Sequence, residues 1–362
     1  MVTNKEYSIG VIGGDGIGPE VTDEAVRILL RLSDHFDFGI NTENYDLGAR
    51  CLTRTGEALP ASVVDDLRQH DALLFGAVGT PAIAPGILER GLILELRRQF
   101  DQFVNLRPVR LLSGAHAPLE QLHKSCDLVI VRENVEGLYA GAGGVAYKGT
   151  SAEVATQEAV NTRYGVERTV REAFRLAESR RSKLALCHKV NVLEYSGSLW
   201  QRAVDDVASE FESVEVDYVH VDAMCAYLVT NPERFDVVVT DSMFGDIISD
   251  LGAALVGGLG FAGTGNINPS RSAPSMFEPI HGSAPDIAGK GIANPISAIL
   301  AMAMCLEHLG EAKAASLVNA GIQTYLVSIV SGGETVAGRT TTEIGDGILS
   351  SIEQGILTGS QC

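Results

Sequence analysis

Asp246 and Asp250, in the stretch DSMFGDIISDLGAAL, stand four residues apart, so on a helix they share one face, one turn apart. Like charges so placed repel by roughly 0.2–0.5 kcal/mol on an exposed helix. A solvated acidic face tolerates that cost, and a divalent cation reverses its sign. The pair follows the apolar run FDVVVTD, which places it at the carboxyl end of a buried strand, where open α/β sheets bind ligands. All-oxygen ligation suits Mg2+ or Mn2+. Asp222, in HVDAMCAYL, closes another strand and is a third carboxylate of this kind. The arginines complement them. Arg97 and Arg107, in ELRRQFDQFVNLRPV, bracket a helix-to-strand passage, and Arg132 ends the strand LVIVREN. Any one alone reads as a surface residue; three at element ends suggest a fork-shaped site for carboxylates. Tyr139 follows Arg132 by seven residues, and Lys189 ends KLALCHK. A buried lysine titrates below its solution value, so beside a tyrosine and a metal it is a candidate proton shuttle. His188 has no partner in the sequence and reads as structural.

These groups need elements to hold them. Short apolar runs (YSIGVIG, DALLFGAVG, CDLVIVREN, KLALCHKVNV, VEVDYVHVDA, FDVVVTDSMFG) alternate with helical patterns such as PEVTDEAVRILLRLSDHF and VERTVREAFRLAESRR. Such interleaving indicates an α/β protein with a largely parallel sheet. The first turn, GVIGGDGIGPEV, is not a dinucleotide fingerprint, which needs glycines at relative positions one, three and six. Counting from Gly14, the third position is Gly16 but the sixth is Pro19; counting from Gly13, the third is Asp15. No Gly-Lys-Ser/Thr follows, so it is not a P-loop either. It reads as a tight strand-to-helix turn carrying a carboxylate, and a bound cofactor must draw its contacts from elsewhere. The glycine-rich tract LVGGLGFAGTGNINPSRSAP, residues 255–274, is expected to cross between domains. AGAGGVAYKGTSAEVATQEAVNT is expected to form an arm or ribbon.

The bulk numbers bound the function classes. A chain of 362 residues holds one large or two medium domains. A net charge of −18 disfavours nucleic acid or an anionic membrane as partner, and leaves a small anionic substrate at locally clustered arginines. The polar start MVTNKEYS does not resemble a signal peptide. PISAILAMAMCL is too short to span a bilayer and reads as a buried helix. Cysteines 51, 126, 187, 225, 305 and 362 form no CxxC pair, which fits reduced thiols in a cytoplasmic protein.

GDGIGPEV, NLRPVRL, VRENVEGLYAG, HKVNVL, VDAM, FGDIISD and MFEPIHGSAPDIAGKGIANP occur in this order. In this set the chain resembles the metal-dependent β-decarboxylating dehydrogenases, the isocitrate/isopropylmalate dehydrogenase family, from about residue 8 to 350. The resemblance implies a two-domain α/β fold with a mixed, mostly parallel sheet that is not a Rossmann fold. Residues 1–102 and 258–362 would form the dinucleotide-side domain. Residues 103–257 would form the substrate, metal and dimerisation domain, with a projecting arm near 140–162. It further implies that Arg97, Arg107 and Arg132 clamp the malate carboxylates. Asp246 and Asp250 would hold Mg2+ or Mn2+, joined by Asp222 of a neighbouring subunit. Tyr139 and Lys189 become the acid/base pair, with Lys189 also reaching across the dimer and Asp222 as a relay. Glu278, His281, Gly282, Ser283, Ala284, Asp286, Ile287 and Asn294 would contact the cofactor. An acidic Asp286 at the ribose implies NAD, because a 2′-phosphate would meet like charge. A homodimer with shared active sites follows, with no nucleic-acid or membrane partner.

The family resemblance also bears on the substrate. Ile93 and Leu94, with Val192 reaching from the neighbouring subunit, would make an apolar pocket for the 3-substituent. That matches the isopropylmalate branch, which converts 3-isopropylmalate to 4-methyl-2-oxopentanoate in leucine biosynthesis. Arg90 stands seven residues before Arg97. If it points inward, it would welcome an anionic substituent such as a carboxylate or phosphonate. VRENVEGLYAG leans towards the isocitrate, homoisocitrate and tartrate branches, and FDQFVNLRPVRLL towards tartrate/D-malate. A catalytically silent regulatory subunit would be expected to lack clamp or metal residues, and this chain has them all.

Overall fold

The β-branched and aromatic content of the six apolar runs makes each of them a strand, and the 3.6-residue patterns between them become helices. The computed structural model describes residues 5–115, 117–118 and 126–358. In chain order the strands are β1 (Lys5–Gly14), β2 (Phe38–Asn44), β3 (Ala72–Ala77), β4 (Val104–Arg110), β5 (Asp127–Glu133), β6 (Gly143–Ala146), β7 (Val154–Gln157), β8 (Lys183–His188), β9 (Glu215–His220), β10 (Val237–Thr240), β11 (Gly263–Ile267) and β12 (Ser275–Pro279). The helices are α1 (Gly18–Ser33), α2 (Ala49–Thr55), α3 (Ala61–Leu67), α4 (Leu94–Gln99), α5 (Arg163–Glu178), α6 (Glu194–Ala208), α7 (Val221–Thr230), α8 (Ser242–Leu255), α9 (Ile296–Leu309), α10 (Ala312–Ser331) and α11 (Thr341–Thr358). The architecture is α/β with mixed, mostly parallel strand pairing.

The chain divides into two compact units. The first comprises Met1–Asp101, Leu111–Glu120 and Ala253–Cys362. Its strands run in the order β2-β1-β3-β12-β11, parallel except for the β11–β12 pair. Helices α1 and α9 pack on these strands. Leu73 and Phe75 share a face by strand alternation, and with Ile12 and Met276 they join Leu92, Leu96 and Phe100 in one core. PISAILAMAMCL is the buried helix α9. Helix α10 is long and apolar enough to cross a bilayer by length and composition, but it packs between α9 and α11 as a core helix. The glycine tract at 255–274 is not itself the crossing. The chain passes between units at Gly252 and Ala253, inside α8, and part of the tract is the fully buried strand β11.

The opening turn shows what its glycines are for. Gly14 and Gly16 have φ of +75° and +62°. A Cβ on Gly16 would lie 1.9 Å from the Ser283 carbonyl oxygen, and next to it the Ile17 amide donates to that oxygen at 2.8 Å. The Asp15 carboxylate accepts from the Ala49 amide and the Gly79 amide, each at 3.0 Å. Its charge is used to fasten two neighbouring segments, one of them the start of α2.

The second unit comprises Gln102–Arg110 and Gln121–Gly252. Its strand order is β4-β5-β10-β8-β9, with only β4–β5 antiparallel among the described pairs. Helix α5 packs on β5, β8 and β10, and α6 packs on α5 and β8. Strands β6 and β7 form a separate antiparallel ribbon whose residues are all exposed. Cys51, Cys126, Cys187 and Cys305 are buried, Cys225 is partly buried, and all five are free thiols; Cys362 lies outside the described residues.

Candidate active site

Strand β5 delivers Arg132 at its carboxyl end, in register with Thr240 of β10 and Asn105 of β4. Two residues beyond Asn105, Arg107 emerges from β4, and α8 follows β10 after one residue. Gly245 lets the Arg132 stem lie against α8, since a Cβ there would come within 2.5 Å of Arg132 Cγ. The result centres on Asp246. Its Oδ1 receives Arg132 Nη1 at 2.9 Å and Arg107 Nη2 at 3.3 Å. Its Oδ2 accepts the Tyr139 hydroxyl at 2.8 Å, and the Arg132 guanidinium lies 4.8 Å over the Tyr139 ring. Arg107 Nη1 also reaches Asp250 Oδ1 at 3.3 Å and Ser249 Oγ at 2.9 Å, while its Nε donates to Asn105 Oδ1 at 2.7 Å.

Arg132 is almost fully buried and Asp246 is partly exposed. Removing Asp246 would take the nearest carboxylate away from a buried guanidinium. Asp250 is half-exposed, and partial burial pushes its carboxyl upward. The charge of Asp246 adds to that shift and Arg107 opposes it. Both aspartates turn an Oδ1 to the same guanidinium, so one hard cation could take oxygens from both. Among the described residues no three His, Cys, Asp or Glu side chains gather into a cage within the chain. Two carboxylates with an open side fit Mg2+ or Mn2+, which keep water or substrate oxygens on their remaining positions.

Asp222 lies elsewhere in the unit. It is the second residue of α7 rather than the last of a strand, because the chain turns into a helix directly after His220. Lys189 comes one residue after β8 and donates to Asp222 Oδ1 at 2.5 Å. That hydrogen bond holds the Asp222 carboxyl below its usual range. Lys189 also starts the turn into α6, its carbonyl accepting from the amides of Val192 and Leu193 at 3.0 and 2.8 Å. Val192 and Tyr195 are largely exposed, at 68% and 87%. Beside them, the Val190 amide donates to the Tyr218 hydroxyl at 3.0 Å, and that hydroxyl lies 2.9 Å from His220 Nδ1.

His188 is fully buried near the rings of Trp200 and Phe244, with no hydrogen bond to either ring nitrogen. Burial pushes its pKa down to about 4. Asp241, 3.5 Å away, is pushed up to about 6 by its own burial and caps α8 by accepting the Phe244 amide at 2.7 Å. Sequence reasoning passed over Asp241, although an acidic residue just before a helix is the ordinary N-cap signal. It also passed over Glu133, Tyr218 and Ser242, whose partners are distant in the chain.

The first unit carries the other sequence candidates. Arg97 is buried and pairs with Glu278 Oε1 at 3.2 Å; Glu278 also accepts from Asn266 Nδ2 at 2.7 Å. Ahead of α4, Glu89–Ile93 form a π turn. On a plain α-helix Arg90 would share the Arg97 face; the wider turn rotates it away by about one residue's 100°. Arg90 is exposed and its guanidinium lies against Gly86, whose amide the neighbouring Glu89 accepts at 2.8 Å. Ile93 packs partly against the core that includes Leu88 and Leu92, and Leu94 is partly buried. Further on, residues His281–Asn294 turn repeatedly, with Ala284 at φ +39°. Ser283 is buried, Asp286 and Gly282 are exposed, and Ile287 is partly buried. His281 Nε2 is buried without a hydrogen-bond partner, and burial lowers its pKa. Asn294 Oδ1 accepts the Ile296 amide at 3.0 Å at the start of α9.

Residues 8–348 match the model of the isocitrate/isopropylmalate dehydrogenase family. The chain is 53% identical over 354 residues to a 3-isopropylmalate dehydrogenase from Thermobifida fusca, covering 97% of this chain and 99% of the relative. It is 54% identical over 339 residues to the enzyme of that name from Frankia casuarinae, covering 93% and 97%. Among solved structures, an isocitrate dehydrogenase from Methylococcus capsulatus superposes with a TM-score of 0.85 at 33% identity, covering 96% of this chain and 100% of that one. A β-decarboxylating dehydrogenase from Thermococcus kodakarensis gives 0.77 at 38% identity, covering 97% of each.

Proposed function

The chain belongs to the isocitrate/isopropylmalate dehydrogenase family, and from that premise we propose that it is an NAD-dependent 3-isopropylmalate dehydrogenase. It would oxidise and decarboxylate 3-isopropylmalate to 4-methyl-2-oxopentanoate, yielding CO2 and NADH, as a step of leucine biosynthesis. The observation that supports the site assignment is the convergence of Arg107, Arg132 and Tyr139 on Asp246, with Asp250 on the same Arg107 guanidinium.

Asp246 and Asp250, with Asp222 of a second copy, would hold a divalent cation, which would supply positive charge beside the 2-hydroxyl and the carboxylate it adjoins, and NAD would supply the hydride acceptor. The chain's own groups do the rest. Arg107 and Arg132, with Arg97, hold the substrate carboxylates and fix the bond that breaks. Lys189 of the second copy, which brings Asp222 with it as its hydrogen-bonded relay, takes the hydroxyl proton. Tyr139 gives a proton to the carbon that has lost CO2. Glu278, His281, Gly282, Ser283, Ala284, Asp286, Ile287 and Asn294 form the NAD subsite, and the orphaned Nε2 of His281 supports a polar ligand there. The exposed, acidic Asp286 supports NAD over NADP.

An apolar 3-substituent is supported by the outward turn of Arg90, which takes that guanidinium away from Ile93 and Leu94. A homodimer is supported by the exposure of Val192 and Tyr195 and by the unpartnered ribbon, since a lone two-stranded ribbon is at best marginally stable in water. The five free thiols support a cytoplasmic enzyme. The test is NADH production with Mg2+ across 3-isopropylmalate, isocitrate, homoisocitrate, tartrate and D-malate. The expected result is the highest kcat/KM on 3-isopropylmalate; a faster dicarboxylate or tricarboxylate substrate overturns the assignment.

A further inference from the structure

We propose that Ser242 is a positioning residue for this reaction, its hydroxyl fixing the turn that presents Tyr139 while its backbone carbonyl separately fixes Arg132. The inference deepens the reading of Tyr139 as proton donor and rests on it.

Ser242 opens α8 one turn before Asp246 and is 1% exposed. Its carbonyl oxygen accepts Arg132 Nε at 2.6 Å. Its hydroxyl donates to the Glu136 carbonyl at 3.0 Å. The residue after Glu136 is Gly137, at φ +67°, where a Cβ would lie 2.2 Å from Ser242 Oγ. The turn therefore fits the serine only because it has a glycine there. Two further ties hold it. The Glu133 carboxylate accepts the Val135 and Glu136 amides at 2.9 and 2.8 Å. Gly137 and Val160 exchange backbone hydrogen bonds at 2.7 and 3.1 Å. Two residues past Gly137, the Tyr139 hydroxyl meets Asp246 Oδ2. The path from Asp246 along α8 to Ser242, across its hydroxyl to Glu136, and on through Tyr139 back to Asp246 is a closed ring. A one-ångström error in such a ring falls on the proton donor, the group with the least tolerance for it.

Because the side chain serves the Tyr139 turn and the main chain serves Arg132, substitution separates the two. Ser242→Ala should lower kcat by about tenfold while KM for 3-isopropylmalate stays within about twofold. Tyr139→Phe should be the more severe loss, and adding Ser242→Ala to it should cost nothing further, since both act through one group. Ser242→Thr, which keeps a hydroxyl, should recover much of the lost kcat. Should Ser242→Ala not yield folded protein, Gly137→Ala presses on the same Oγ and should show the same fall in kcat at constant KM. Unchanged kcat in a folded Ser242→Ala beside a crippled Tyr139→Phe overturns the inference alone. So does a loss that multiplies with that of Tyr139→Phe, or one that appears in KM. A Tyr139→Phe enzyme with full activity overturns both the inference and the reading beneath it.

Discussion

His188 sits next to Lys189 in sequence, yet its chemistry is that of a buried neutral ring, held below ordinary histidine titration by its surroundings. The unfolded chain protonates this residue near pH 6.5, the folded one only near pH 4. Between those values the unfolded state binds more protons, so this contribution to stability is whole above pH 6.5 and is lost as the pH falls towards 4. At pH 5 the loss amounts to about 2 kcal/mol. His188→Leu should therefore show a smaller drop in Tm between pH 7 and pH 5 than the parent, by thermal unfolding at both values; an equal drop contradicts the burial argument. Asp286 is the other residue with a single decisive property, its charge. The parent enzyme should favour NAD over NADP in kcat/KM by at least about tenfold, and Asp286→Lys should erode that ratio. A parent that uses both cofactors equally would remove the reason for assigning Asp286 to the ribose.

The elements that hold these residues were legible because each depends on local pattern. Six apolar runs became β1, β3, β5, β8, β9 and β10, and both quoted amphipathic stretches became helices, α1 and α5. Asp246 and Asp250 fall on one helix, as their four-residue spacing requires. The turn Gly137, the hydroxyl of Ser242 and the carboxylate of Glu133 were not legible, because each owes its role to a partner brought near only by folding. The π turn at Glu89–Ile93 was hidden for a related reason. One surplus residue in a turn leaves no mark on composition, but it changes which side chains share a face. It has a measurable consequence. Arg90→Ala should alter kcat/KM on 3-isopropylmalate by less than about twofold, whereas Leu94→Ser should reduce it by about tenfold or more. A crippling Arg90→Ala would mean that the arginine turns inward when substrate binds.

For the molecule as a whole, a net charge of −18 surrounds the proposed site for an anionic substrate, so attraction there would have to come from nearby guanidiniums such as Arg107 and Arg132 rather than from the overall field. The proposed sharing of sites between subunits has a direct check. Inactive Lys189→Ala and inactive Tyr139→Phe homodimers, mixed under subunit exchange, should regain activity, since each mixed dimer would hold one intact site. Proven heterodimers without activity would show that the sites are not shared. Gly137 and Val160, joined by their two backbone hydrogen bonds, pinch off everything between them, so chain entry and exit stay adjacent whatever the length of the excursion. A segment closed in this way can be lengthened, trimmed or exchanged between relatives at small entropic cost. Tyr139 lies inside the pinch, on the same excursion as the ribbon. A swap of the arm would carry Tyr139, the proposed proton donor, with it, so the proposed assembly and the proposed chemistry would be inherited as one piece.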